Sequence, residues 1–317
     1  MRRRDFIAGA GAATAWPLAV AAQESGHIYH IAALALNPVI LPSFFNELER
    51  NGLVEGHNLI VDRRGLGVPV SRFDAVAVQL VNAAPDAIVT FGPPAGHAAQ
   101  HATKSIPIVA FTDDPVEAGL VASASRPGGN TTGVGIFSVQ LDVKRLEILR
   151  EIVPKARRIG ILAGSDIRSA RTQVEAAGRE LGLELITQEV DNVDEIVRAI
   201  DALAAAQVAA VNVLASPTLY LGRNLIVDRT RELRLPATYT WPEQAHEGGL
   251  VGFGPTLDET LRLLAQQVVS VLHGAAPSML PILRPTRFTL AINLEMAKAL
   301  GLTVPSSLLA QANEVIE

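Results

Sequence analysis

The feature that most constrains this chain is a pattern written twice. Beyond residue 26, short apolar runs alternate with longer amphipathic stretches. Tyr29 to Leu36 and Asn58 to Arg63 read as strands, with Leu41 to Asn51 as a helix between them. Ser71 to Ala84 reads as a helix capped by Ser71, with Asp74 adding an acidic group to the first turn. Ala87 to Phe91 is the next strand. This alternation predicts parallel sheets covered by helices. The landmarks then return in order. Residues 30–34 (HIAAL) are echoed by 158–162 (RIGIL), and 87–93 by 211–217. Ser105-Ile106-Pro107-Ile108 is echoed by Arg234-Leu235-Pro236-Ala237, and Asp114-Pro115 by Trp241-Pro242. The offsets run from 124 to 129 residues. A proline before the fourth strand ends the preceding helix and starts an extended segment, and it recurs at the same ordinal strand. Any α/β chain shows some echoes; four in order at nearly one spacing point to two Rossmann-like α/β lobes with parallel sheets, hinged around a central cleft.

The expected boundaries follow. Residues 27–138 with about 256–280 form the first lobe, and 139–255 with about 281–317 the second. A helix over 141–153 carries the chain across, and the Gly- and Pro-rich stretches 249–255 and 274–286 read as later crossings. Helix 257–273 is expected in the first lobe and strand 287–293 in the second. Several crossings between two lobes make a hinge, which suits closure around a ligand.

Residues 1–22 read as a cleavable signal peptide. Arg2 to Arg4 form a positive region, Phe6 to Val20 are apolar or small, and small residues at 19–22 suit a signal peptidase. Arg3-Arg4-Asp5-Phe6-Ile7 also resembles a twin-arginine export signal. The expected location is the periplasm. The formal charge of −5 becomes more negative without the leader's arginines, and no basic face is evident, so nucleic acid is not an expected partner. The absence of cysteine excludes disulfides, thiolate metal sites, a thiol nucleophile and a lipid-modified Cys anchor.

In open parallel sheets, ligands bind beyond the carboxyl ends of the strands. The candidate loops therefore carry Asn37, Thr90 to Ala95 and Thr112 to Val116 in the first lobe, and Gly164 to Ile167 (with Ser165), Ser216 to Thr218 and Tyr239 to Glu243 in the second. Thr90-Phe91-Gly92-Pro93-Pro94 precedes a helix whose positive end suits a carboxylate, and Ser216-Pro217-Thr218 repeats the device; ordinary capping is the bland alternative. Asp113 or Asp114 suits a ligand amine, and since neighbours on a strand point opposite ways, at most one faces the cleft. The alternatives are a cap by Asp114, or an acid and base pair with His97 as partner. Tyr239 and Trp241 alternate on one strand end, and with Phe91, Phe111 and Phe253 they suit a ring or apolar group; core packing is the alternative for Phe91 and Phe111. His97 and His101 lie four apart without a third ligand in sequence, so no metal is expected, and no cofactor.

Several segments resemble the ABC-transporter substrate-binding proteins related to tryptophan- and tyrosine-binding receptors. They are residues 53–58 (LVEGHN), 113–121 (DDPVEAGLV), 126–134 (RPGGNTTGV), 288–294 (FTLAINL) and 297–302 (AKALGL). The resemblance covers essentially all of the chain after the leader. It implies a type I periplasmic binding fold, no catalysis, a monomer, and an ABC permease with its ATPase as partners. It implies that Thr90, Gly92 and Pro93 hold a ligand carboxylate and that the Asp113-Asp114 turn holds its amine. The chain departs from the family at Ala163-Gly164-Ser165, where asparagine is common, and at Ser216-Pro217-Thr218, where an aspartate often opens the loop. The second lobe thus offers fewer polar anchors, and a carboxylate without an amine is an alternative ligand. A sensory module presenting its ligand to a receptor is the alternative role.

Overall fold

The computed structural model describes residues 27–35, 41–165 and 167–317. The leader and Asn37 lie outside the described residues. The first sheet contains β1 (Tyr29–Leu34), β2 (Leu59–Gly65), β3 (Ala87–Phe91), β4 (Ile108–Thr112) and β5 (Thr131–Gly135), in the order β2-β1-β3-β4-β5 with every pairing parallel. The second contains β6 (Arg158–Gly164), β7 (Glu184–Val190), β8 (Val211–Val213), β9 (Ala237–Tyr239), β10 (Val251–Gly254), β11 (Thr289–Asn293) and β12 (Glu314–Ile316). Their order is β12-β11-β10-β9-β8-β6-β7, and β10 with β11 is antiparallel. Read from β7, this sheet begins β7-β6-β8-β9-β10. That is the order of the first sheet, strand for strand. The sequence echoes fall on matching strands: β1 with β6, β3 with β8, and the proline-led β4 with β9.

Both sheets are covered on two faces, which explains why β1 and β3 are near-continuous apolar runs. On one face of the first sheet, Leu261, Leu264 and Val268 of helix Leu257–Leu272 pack with Ile31, Val89 and Val109, and with Phe44 and Leu48 of helix Leu41–Arg50. On the other, Val76 and Leu80 of helix Phe73–Asn82 join Ala95, Ala98 and Ala99 of helix Pro93–Ala102. Each such aliphatic side chain of Leu, Ile or Val size, fully buried, contributes about 1.5–3 kcal/mol. Helix Val139–Ile152 follows the first crossing and packs on the second sheet. Its Leu146 and Leu149 pack on Ile159 and Ile161, and its Ile148 and Ile152 on Val251 and Ile292.

One local expectation is corrected. Ser71 does not cap a helix: Val70–Arg72 forms a 3-10 turn closed by the Arg72 N–H on the Pro69 carbonyl, and the α-helix starts at Phe73 with no side-chain cap. Within the stretch read as the last crossing, Ile282 donates to the Ala124 carbonyl, and Leu283 exchanges hydrogen bonds with Gly133 and Gly135 along the outer edge of β5.

Candidate functional site

The carboxyl ends of β3 and β4 face those of β8 and β9 across a cavity enclosing about 690 Å³ of empty space, part of it open to solvent. Ala35, Phe91, Phe111, Thr112, Asp113 and Ile136 form its first-lobe wall. Ala215, Ser216, Pro217, Tyr220, Leu221 and Trp241 form the other, and Leu257, just beyond a crossing, closes the side. Beside the cavity the lobes approach each other. Gly92 has φ +77°, and a Cβ there would stand 3.5 Å from Cγ of Pro217.

Each wall carries an aromatic pair. Phe91 and Phe111 sit at the ends of neighbouring strands, in register with each other, with ring centroids 4.6 Å apart. Tyr220 and Trp241 meet edge to face at 5.7 Å. Burial pushes the Tyr220 phenol up to about 12, so it remains a neutral hydroxyl. The Arg223 guanidinium lies over the Tyr220 ring, 4.9 Å from its centroid, and also pairs with Glu247.

Asp113 and Asp114 part as strand geometry requires. Asp113 lines the cavity, and its Oδ1 accepts the Ser138 N–H at 2.8 Å. Burial pushes its carboxyl up to about 6; Ser138 opposes this, and the charges of Asp142 and Asp114 add to it. Asp114 turns away, and its Oδ1 accepts the N–H groups of Val116 and Glu117. It caps its own turn, so no pair of carboxylates assembles in the cavity.

Behind Asp113 lies a polar network that the sequence reading missed. Ser138 donates its hydroxyl to Asp142 Oδ2 at 3.2 Å. Asp142 forms an ion pair with Arg145, and both are wholly buried. Burial pushes the Asp142 carboxyl up, with Arg145 and the Ala215 N–H opposing. Arg145 donates to the Phe253 carbonyl at 2.7 Å, and Asn212 donates to the Asp142 carbonyl at 3.0 Å. The i, i+3 spacing of Asp142 and Arg145 on one helix was the available signal. Ile136, Ala215, Tyr220, Leu221 and Leu257 were also missed as wall residues, because nothing in an isolated apolar or aromatic side chain separates wall from core.

Several expected contacts fall elsewhere. Tyr239 is in the second-lobe core, where its hydroxyl meets Thr230 Oγ1 at 2.7 Å. Residue 240 lies between it and Trp241, but β9 ends at Tyr239, so the expected strand alternation stops and only Trp241 reaches the cavity. Phe253 does not line the cavity; its ring packs at the β10–β11 side near Phe288. Thr90 is fully buried, and its hydroxyl has no partner among the described residues. Ser165 is exposed and donates its N–H to Val190. Thr218 is half-buried in helix Pro217–Leu221, and Ser216 alone of that loop's two hydroxyl residues lines the cavity.

The carboxylate seat expected at Gly92 and Pro93 is also weakened by the sequence itself. Pro93 and Pro94 fill the first two helical positions and have no N–H, while the Gly92 N–H is spent on the Phe111 carbonyl. Among the described residues, no group of three or more His, Asp or Glu is placed to hold a metal ion, and no helix is long and apolar enough to cross a membrane.

Comparison with known proteins gives this geometry its family. The family model described as "ABC transporter substrate binding protein" matches residues 43–316. A tyrosine-binding protein of Clostridioides difficile is 27% identical over 266 residues, covering 82% of this chain and 75% of that protein. Among solved structures, a conserved domain protein of Vibrio cholerae superposes with a TM-score of 0.82 at 23% identity, over 91% of this chain and 99% of that one. An ABC domain of Streptococcus pneumoniae in complex with L-Trp gives 0.79 at 25% identity, over 92% and 99%. The ligand-free, open structure of a Clostridium difficile substrate binding protein gives 0.63 at 23% identity, also over 92% and 99%. The two-lobed α/β architecture is that of type I periplasmic binding proteins, and the chain belongs to the ABC transporter substrate-binding protein family.

Proposed function

We propose that this protein is the solute-binding component of an ABC importer, exported to the periplasm, which encloses one small organic molecule between its lobes and delivers it to a permease and its ATPase. The observation that carries this reading is the cavity itself: both lobes wall it, and Gly92 and Pro217 approach each other across it closely enough that a Cβ on Gly92 would reach van der Waals contact. A binding protein of this kind works by differential affinity. Ligand contacts on both walls are complete only when the lobes are together, so binding shifts the population toward closure. Similarity to the bound pneumococcal structure exceeds that to the open clostridial one at nearly equal identity, which supports a closed arrangement here.

The residues proposed to meet the ligand are Phe91, Phe111, Asp113, Ser216 and Trp241, expected from the sequence, joined by Tyr220 and Ile136. The crossings at 137–139, 254–257 and beyond Leu283 are proposed as the hinge. The protein provides its own reporter. Its two tryptophans are Trp16, within the leader, and Trp241, in the cavity wall. Titration of leaderless protein with amino acids, amines and aromatic carboxylates, followed by Trp241 fluorescence and thermal shift, tests the reading. Ligand at a hundred times its Kd adds about 2.7 kcal/mol of stability. A saturable signal without turnover of the ligand supports a receptor, whereas chemical conversion of the ligand sinks it.

A further inference from the structure

We propose that the ligand is an organic ammonium ion that carries no carboxylate group. The inference deepens the receptor reading and rests on it. Three properties of the cavity lead there.

The first is charge. Asp113 is the one charged side chain among the described wall residues, and Ser138, which hydrogen-bonds it, lies behind the wall. Behind the opposite wall stands a second carboxylate. Glu243 accepts the Leu257 N–H through Oε1, its Oε2 is buried without a partner, and its charge acts on Tyr220. The two nearby guanidiniums are committed elsewhere. Arg145 is wholly buried against Asp142 and the Phe253 carbonyl, and Arg223 pairs with Glu247 outside the wall. A carboxylate in this cavity would meet like charge without a counter-ion. Buried charge without a partner is strongly disfavoured.

The second is the wall's π surface. Phe91 and Phe111 on one side and Trp241 on the other line the same cavity as Asp113, together with Tyr220, over whose ring Arg223 already lies. Rings attract cations through their negative faces, an effect that grows as water is excluded. The third is the missing anion seat. Pro93 and Pro94 delete two of the N–H groups that a helix start would aim at a carboxylate, and Pro217 deletes another in the facing loop.

The test is calorimetric titration of the leaderless protein with tryptamine, phenethylamine and choline, with L-tryptophan and L-tyrosine, and with indole-3-acetate and phenylacetate. The expected result is binding of at least one amine, about tenfold or more tighter than either amino acid, with no binding of the two acids. Asp113→Asn then weakens the amine by roughly 10- to 100-fold, the size of a lost charge-assisted hydrogen bond. Leu221→Arg guards against a folding failure, since this wall residue is 53% exposed and the new guanidinium stands at the cavity mouth. It should weaken the amine while leaving the unliganded Tm unchanged. If an amino acid binds more tightly than the amines, or an acid binds, the inference falls and the receptor reading stands. If an amine binds but neither variant weakens it, the inference also falls. Silence from all seven compounds overturns both.

Discussion

The two walls of the cavity are built by sheets with one strand order, yet they are chemically unequal. Just past the end of β4 the first-lobe wall carries Asp113, a carboxylate lining the space between the lobes. The second-lobe wall, at the matching strand end, offers Trp241. Its buried charges, Asp142 and Arg145, are turned inward and neutralise each other. Duplication of a fold therefore fixes where the cavity lies and gives both walls an aromatic pair, while a single side chain past a strand end gives one wall its charge.

Four experiments break or sharpen this contrast. The largest effect is expected at the inward pair. Arg145→Met leaves Asp142 buried without its counter-charge and should cost about 3–5 kcal/mol in urea unfolding, whereas removing both with Asp142→Leu and Arg145→Met together should recover much of it. A small cost for the single variant would show that the network is not what separates the walls. Next is the approach of Gly92 to Pro217. Gly92→Ala forces a side chain onto φ +77° and toward Pro217, so about 1–3 kcal/mol of strain is expected, with weaker ligand binding through impaired closure. Unfolding curves and titrations on the same variant separate the two losses.

The third concerns pH. The folded Asp113 carboxyl near 6 lies above its unfolded value of about 3.9, so the native state holds this proton more tightly. The resulting stability is present below about pH 4 and is lost as pH rises to about 6, by an amount of order 3 kcal/mol. Denaturant unfolding from pH 4 to 7, compared with Asp113→Asn, isolates it: the difference between the two proteins should change across that window and level off above it. The groups acting on Asp113 are Ser138, Asp142 and Asp114. The smallest effect is expected at Tyr239→Phe. Loss of the hydrogen bond to Thr230 should cost about 1 kcal/mol and leave the Kd unchanged, because Thr230 keeps its bonds to the Ile226 and Val227 carbonyls. A change in Kd would return Tyr239 to the wall.

Much of the architecture was legible in the sequence because it rests on local rules. Pro107 and Pro236 mark the same strand start in both lobes, and both precede strands that pair as expected. The site was legible only to the level of loops. Sequence alternation placed Asp113 and Asp114 on opposite sides, but which one faced the cavity depended on the Asp114 turn closing on Val116 and Glu117. Tyr239 went astray because alternation was extended one residue past the end of a three-residue strand. Tyr220 gave no signal at all: it reaches the wall only because helix Pro217–Leu221 is one short turn, which sets its ring beside Trp241. Asp142 and Arg145 looked like any solvated helical pair, and only the tertiary packing of Ala215 and Phe253 around them makes them interior.

The short segment at Ile282 and Leu283 has a consequence for how the protein avoids pairing with its neighbours. It occupies the free hydrogen-bonding edge of β5, with the Leu283 N–H on Gly133 and its carbonyl taken by Gly135. An uncovered parallel edge is a template on which another chain can add a strand. The outer margin of the second sheet, β7, carries Glu184 and Glu189, each paired with an arginine, Arg158 and Arg171. The β5 margin, by contrast, is capped by the chain's own backbone.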